Sequence, residues 1–226
     1  MKERPILFSA PMVRALLEGR KTQTRRVLKP QPVPCLSWSA PPAGTYPSDR
    51  GWSRIPAQPG DRLWVREAFY LTDDGEAGCA VHAADEDAVK EHFRSIRETQ
   101  AKHILSDGWA GPHLRLRSSI HMPRWASRIT LIVEAVKIER LQDISEADAI
   151  AEGIRRDSSA FMHAGWWVYD GEKLPSGEPA NVTTKPIDSF ASLWRSINGP
   201  DSWDANPWVA AITFRVIAKH TTKGEE

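Results

Sequence analysis

The stretch Gly19-Arg20-Lys21-Thr22-Gln23-Thr24-Arg25-Arg26 follows a short apolar segment without a break. From Lys21 to Arg26 it places a lysine, two hydroxyls and two arginines within six residues. The residues before it predict a helix with Ser9 as N-cap and Pro11 in the first turn. Met12, Val13, Leu16 and Leu17 recur at helical spacing, and Gly19 can take the left-handed stop. A buried helix anchors the polar cluster at its end, which is the support that reactive side chains need. The same residues also read as a basic loop. Arg14, Arg20, Lys21, Arg25, Arg26 and Lys29 stand against Glu18 alone, a pattern typical of a solvated or phosphate-facing surface.

Downstream, eight prolines between Pro30 and Pro59 predict an extended arm. Pro59-Gly60-Asp61 is a turn signal, and Leu63 to Tyr70 reads as a strand. A polar helix is expected around Asp85 to Ile104, within an insertion. Arg128 to Arg140 alternates first on one parity and then, from Val136, on the other, which predicts a β-bulge near Glu134 and Ala135. Ser145-Glu146-Ala147-Asp148 resembles a capping box opening a short helix that stops at Gly153. Phe161, Trp166, Trp167 and Tyr169 lie in an irregular segment that either lids a pocket or plugs the core. Phe190, Leu193, Trp194 and Ile197 mark a helix over Asp188 to Asn198, ended by Gly199-Pro200. A final strand follows, with Trp208, Ala210, Ile212, Phe214 and Val216 facing inward.

The chain has 226 residues, 41% of them hydrophobic, and a net charge of +1. That is enough apolar material for a core, and no global field draws it to nucleic acid. Local patches carry any such contact: the loop around Lys21, and the acid-free run from His113 to Arg128. Cys35 and Cys79 are far apart, and the seven histidines form no His-x-x-x-His pair, so neither a disulfide framework nor a metal site is expected. No signal peptide or membrane-spanning run is evident, so a cytoplasmic location, no membrane partner and a monomer are expected.

Ser9-Ala10-Pro11, then Gly19-x-Lys21 and on to Arg26, resembles the Gly-x-Lys-x-x-x-x-Arg signature of the ASCH superfamily. Pro59-Gly60-Asp61 leading into Trp64-Val65-Arg66-Glu67 resembles the same proteins. Ser118 to Gly153 and Asn206-Pro207-Trp208-Val209 are similar to longer, phage-like members. The resemblance implies an α+β fold: a PUA-like mixed β-barrel with peripheral helices and two insertions. Residues 1–226 then form a single domain, with inserted segments at 30–58, 71–112 and 154–186.

One branch of that superfamily removes the acyl group from N4-acetylcytidine and related N4-acylcytosines without a metal or cofactor, using a lysine, a threonine and a glutamate. The resemblance implies Lys21, Thr24 and Glu67 for these roles. Amide hydrolysis needs a nucleophile, a base, an oxyanion donor and an acid for the departing amine. Thr24 can supply the hydroxyl, and a neutral Lys21 the base. Glu67 can either orient the lysine or protonate the leaving amine, or it can simply form an ion pair with Lys21. Lys21 and Thr24 converge only if the loop stays turned after Gly19. Substrate-binding candidates are Ser9, Arg26, Trp64, Arg66, His121, Arg124 and Trp125. The expected partner is a small nucleoside, with weak RNA binding in addition. The rival is a module that binds RNA or a modified base without turnover, through base stacking on Trp125 and phosphate contacts from Arg124. A ribonuclease is the less favoured third possibility.

Overall fold

The computed structural model describes residues 2–33, 42–72, 79–91, 93–94, 116–156, 167–169 and 183–219. Its centre is a mixed five-stranded sheet of order β1-β5-β8-β11-β2. The strands are β1 (Glu3–Leu7), β2 (Gln23–Val27), β5 (Arg62–Arg66), β8 (Ile129–Arg140) and β11 (Trp208–Lys219). β1 runs parallel to β5, and the other three pairings are antiparallel. Helices α1 (Ala10–Leu17), α3 (Glu146–Ala151) and α4 (Pro186–Asn198) surround the sheet, and α2 covers residues 86–91. An α+β architecture results.

The expected closed barrel is not observed: among the described residues β1 and β2 are the two edges of an open sheet. α1 leaves one edge and delivers the chain to the other, burying Val13 and Leu16 in the main core beside Phe8, Leu131, Ile212 and Phe214. No main-chain ladder joins the edges. Instead the Arg26 guanidinium of β2 donates to the Leu7 carbonyl of β1 at 2.6 Å.

The predicted bulge is present. Thr213 faces Ala135 and Phe214 faces Val133, so Glu134 is the extra residue. Before the bulge Ile129, Leu131 and Val133 are buried; after it Val136 and Ile138 pack on the core. The last strand buries both parities, because Ala210 and Ile212 face the main core while Val209 joins a second cluster with Leu141, Phe190 and Trp194. α4 covers that second face, so simple alternation could not hold there.

Two other expectations need correction. The arm at 30–58 contains a hairpin of β3 (Thr45–Ser48) and β4 (Gly51–Arg54), and Tyr46 is part of the main core. A buried aromatic is enough to fold a proline-rich segment back onto the sheet. The strand expected from Leu63 to Tyr70 is two: β5 ends at Arg66, and β6 (Phe69–Thr72) pairs instead with β7 (Cys79–His82). Glu67 stands at the break, its backbone N–H donating to the Met122 sulfur. The short strands β9 (Arg155–Arg156) and β10 (Trp167–Val168) form a separate pair. Cys35, His113, Phe161 and Trp166 lie outside the described residues, as do most of the 71–112 and 154–186 insertions and the second half of the expected polar helix.

Candidate active site

α1 ends as expected, with Gly19 at φ +76°. Ser9 occupies the N-cap position but its side chain makes no capping hydrogen bond. After Gly19 the chain turns back on the helix, and the amides of Arg20 and Lys21 both donate to the Ala15 carbonyl. Thr22 then donates to Ala151 at the end of α3, and Phe214 of β11 donates to Thr22. Lys21 is thereby fixed between α1, α3 and the sheet, with its side chain 0% exposed.

The carboxylate beside Lys21 is Glu152. The lysine Nζ donates to Glu152 Oε2 at 2.6 Å and to the Glu152 carbonyl at 2.8 Å. Local sequence explains the placement. The Ser145–Asp148 capping box starts α3, and Glu152 is its C-cap. A carboxylate at a helix C-terminus opposes the peptide dipoles, and the lysine compensates by neutralising it and capping the free carbonyl. Gly153, at φ +104°, permits the approach, since a Cβ there would stand 3.2 Å from Ala15 Cβ and 3.5 Å from Lys21 Cβ.

Arg25 holds the other side of Glu152. Its Nη1 donates to Glu152 Oε1 at 3.2 Å and its Nη2 to Glu139 Oε1 at 2.8 Å, with Asp148 3.5 Å away. Burial lowers the pKa of Lys21; the Glu152 charge and hydrogen bond oppose this, and Arg26 and Arg25 push it further down. Burial alone would raise Asp148, but hydrogen bonds from Ser145 and Gln23 and the Arg25 charge hold it below the usual carboxylate range.

Two adjoining cavities of about 290 and 260 Å³ open between α1 and α4, and Met12, Glu152, Leu193 and Ile197 border both. The first is mostly apolar, with Ser9, Pro11, Ala15 and Tyr169 in its wall. Tyr169 thus acts as pocket wall while also packing in the second core cluster. The second is polar, bounded by Thr24, Arg25, Arg26 and Lys29 against Phe190 and Trp194. Thr24 lies on β2 opposite Ile212, and no hydrogen bond holds its hydroxyl among the described residues. The loop does stay turned until Thr22, so Lys21 and Thr24 reach Glu152 and the cavity wall respectively.

The structure does not bring Glu67 to this cluster. Its carboxylate accepts two hydrogen bonds from Arg128, 2.9 and 3.1 Å long, in a sealed region where His82 is also buried. Burial lowers the His82 pKa, with the Glu67 charge opposing, while its Nε2 contacts the Ala126 carbonyl at 2.9 Å. Trp64, Arg66, His121, Arg124 and Trp125 line neither cavity. They form a separate surface: Arg66 and Arg124 flank the Trp64 ring at 4.6 and 5.8 Å, and Arg124 pairs with Glu3. Trp125 is 61% exposed rather than core.

Sequence reasoning missed Glu152. The available signal was a charged residue just before the glycine that stops a capped helix, where a carboxylate is unfavourable unless something nearby needs it. Among the described residues no group of three or more His, Cys, Asp or Glu could hold a metal ion, and no helix is long and apolar enough to cross a membrane.

No family model and no curated protein matches the chain. Among solved structures it is similar to a DUF984 protein of Enterococcus faecalis V583, at 10% identity over 100% of this chain and 86% of that one, with a TM-score of 0.37. That likeness is too loose to carry fold or activity across.

Proposed function

We propose that the cleft between α1 and α4 is the active site of an amidohydrolase that removes the acyl group of N4-acylcytidine or N4-acyldeoxycytidine, and that the chain is an ASCH-like variant of the PUA architecture. The observation that carries this reading is the buried Lys21–Glu152 pair, whose glutamate borders the same cavity as Thr24. A lysine held in a dry site with a depressed pKa can act as a base at moderate pH. Glu152 takes the role expected of Glu67, because it is the carboxylate in contact with the lysine.

In this mechanism the Thr24 oxygen attacks the acyl carbon as the neutral Lys21 amine takes its proton. Glu152 holds the resulting ammonium through the contact it already makes with Lys21 Nζ. When the C–N4 bond breaks, the proton passes to N4 and cytidine leaves. Water then cleaves the Thr24 ester, releasing the acid and restoring the hydroxyl. The site's own residues supply each proton transfer, so activity is expected to survive excess EDTA.

The assay is incubation with N4-acetylcytidine and chromatographic detection of cytidine, repeated with Thr24→Val. Release by the wild type, lost in the variant at unchanged thermal stability, supports the reading; no release from any N4-acylcytosine nucleoside refutes it. A second reading, a nucleic-acid-binding module, is favoured by one observation, the exposed Trp125 next to Arg124 in the chain. Tight RNA binding at physiological salt, abolished by Trp125→Ala and unaccompanied by hydrolysis, would establish that reading instead.

A further inference from the structure

The polar cavity carries more positive charge than the protein itself compensates. Arg25 is fully engaged by Glu139, Asp148 and Glu152, and Lys21 by Glu152. Arg26 and Lys29 line the same cavity, and neither forms an ion pair among the described residues. Arg26 donates Nη2 to the Leu7 carbonyl and lies 5.3 Å from the Phe8 ring, which leaves Nε and Nη1 without a hydrogen-bond partner among the described residues. Burial acts against its charge, and the Glu152 carboxylate partly supports it. A guanidinium that is kept ionised in a partly dry wall, with a second free cation beside it, favours an anionic ligand. A guanidinium edge matches phosphate geometry in particular.

We propose that Arg26 and Lys29 form a phosphate site, so that the cleft takes a mononucleotide in preference to the corresponding nucleoside. The phosphate is a monoester, because a cavity of about 260 Å³ suits a terminal phosphate rather than an internal phosphodiester with a strand on both sides. Thr24 and Arg26 are two residues apart on one strand, about 7 Å, and both border the same cavity as Lys29. The identity of the base rests on the acylcytidine reading, whereas the phosphate site does not.

The test compares inorganic phosphate, cytidine and cytidine monophosphate as ligands by calorimetry at fixed ionic strength. In parallel, kcat/KM is measured for N4-acetylcytidine, its 5′-monophosphate, and a short oligonucleotide containing N4-acetylcytidine. The proposal expects the monophosphate to bind and to be hydrolysed about tenfold or more better than the nucleoside. Lys29→Gln and Arg26→Gln should reduce that preference, and Arg26→Lys should keep part of it. If Arg26→Gln fails to fold because its bond to Leu7 is lost, the exposed Lys29 decides the question. Equal kcat/KM for nucleoside and monophosphate, with no binding of phosphate, overturns the phosphate site and leaves the hydrolase reading intact. A preference for the oligonucleotide overturns it in favour of a strand. Binding of phosphate and cytidine monophosphate that depends on Arg26 and Lys29, without hydrolysis of any acylated compound, upholds the site while the hydrolase reading falls.

Discussion

Two buried glutamates of this molecule sit in contrasting surroundings. Glu152 meets Lys21 and Arg25 at the edge of a cavity, whereas Glu67 meets Arg128 behind the β6–β7 hairpin, where neither described cavity reaches. Both carboxylates are removed from water, and both are compensated by a cation. They differ in the partner and in access. Arginine stays charged at any working pH, whereas a desolvated lysine can exchange its proton. A buried charge is by itself a poor marker of function; a titratable partner whose carboxylate borders a cavity is a better one.

The comparison is tested most severely at Lys21. Lys21→Arg keeps the charge beside Glu152 but removes a group able to shed its proton, and turnover of N4-acetylcytidine should fall by about 10²–10⁴-fold. Steady-state kinetics alongside a thermal melt would separate this from unfolding; near-normal turnover would leave Lys21 an electrostatic residue.

The two glutamates should then respond oppositely. Glu152→Gln should reduce turnover by about a hundredfold with a smaller effect on stability. Glu67→Ala should cost about 3 kcal/mol, because Arg128 is left buried without its main partner. Its activity per folded molecule should be unchanged. Denaturant titration and kcat on both variants check this, and loss of activity in folded Glu67→Ala would collapse the distinction.

A pH profile sharpens the same contrast. With the Lys21 pKa depressed in the folded state, the unfolded chain binds more protons between the folded value and the ordinary lysine value. Stability should therefore rise with pH through that window and level off above it, and the burial penalty applies in full below it. Lys21→Met should flatten this slope. kcat/KM should likewise rise along a limb below the ordinary lysine range near about 10.4. A pH-independent rate would contradict the base role.

The smallest effect concerns the support of Glu152. Ser145→Ala removes the side-chain cap of α3 and should cost about 1 kcal/mol, read as a lower midpoint in urea. Because α3 also positions Glu152, turnover should fall modestly with it. No change in either would show that Lys21 and Arg25 suffice to hold the carboxylate.

Much of the local structure was legible beforehand. The helix ending at Gly19, the bulge at Glu134, the Ser145 capping box and the helix ending at Gly199 all depend on residues near one another in sequence. Their rules of spacing, capping and handedness need no knowledge of the rest of the chain. The sequence also singled out Lys21, Thr24 and Arg26, and the structure brings them to one corner, where Thr24 and Arg26 border the cavity that Glu152, the partner of Lys21, also lines.

What lies opposite that corner was decided only by tertiary structure. The sequence paired Lys21 with Glu67, 46 residues away along the chain, and missed Glu152, 131 residues away. The choice depends on where the chain breaks after β5 and on Gly153 allowing the end of α3 to close against Lys21. Likewise, the resemblance implied a barrel, but closure requires a continuous ladder, and among the described residues α1 and a single arginine side chain span the gap. Residue types and periods are properties of short segments, whereas the pairing of distant charges and the closure of a sheet are set by how whole elements pack.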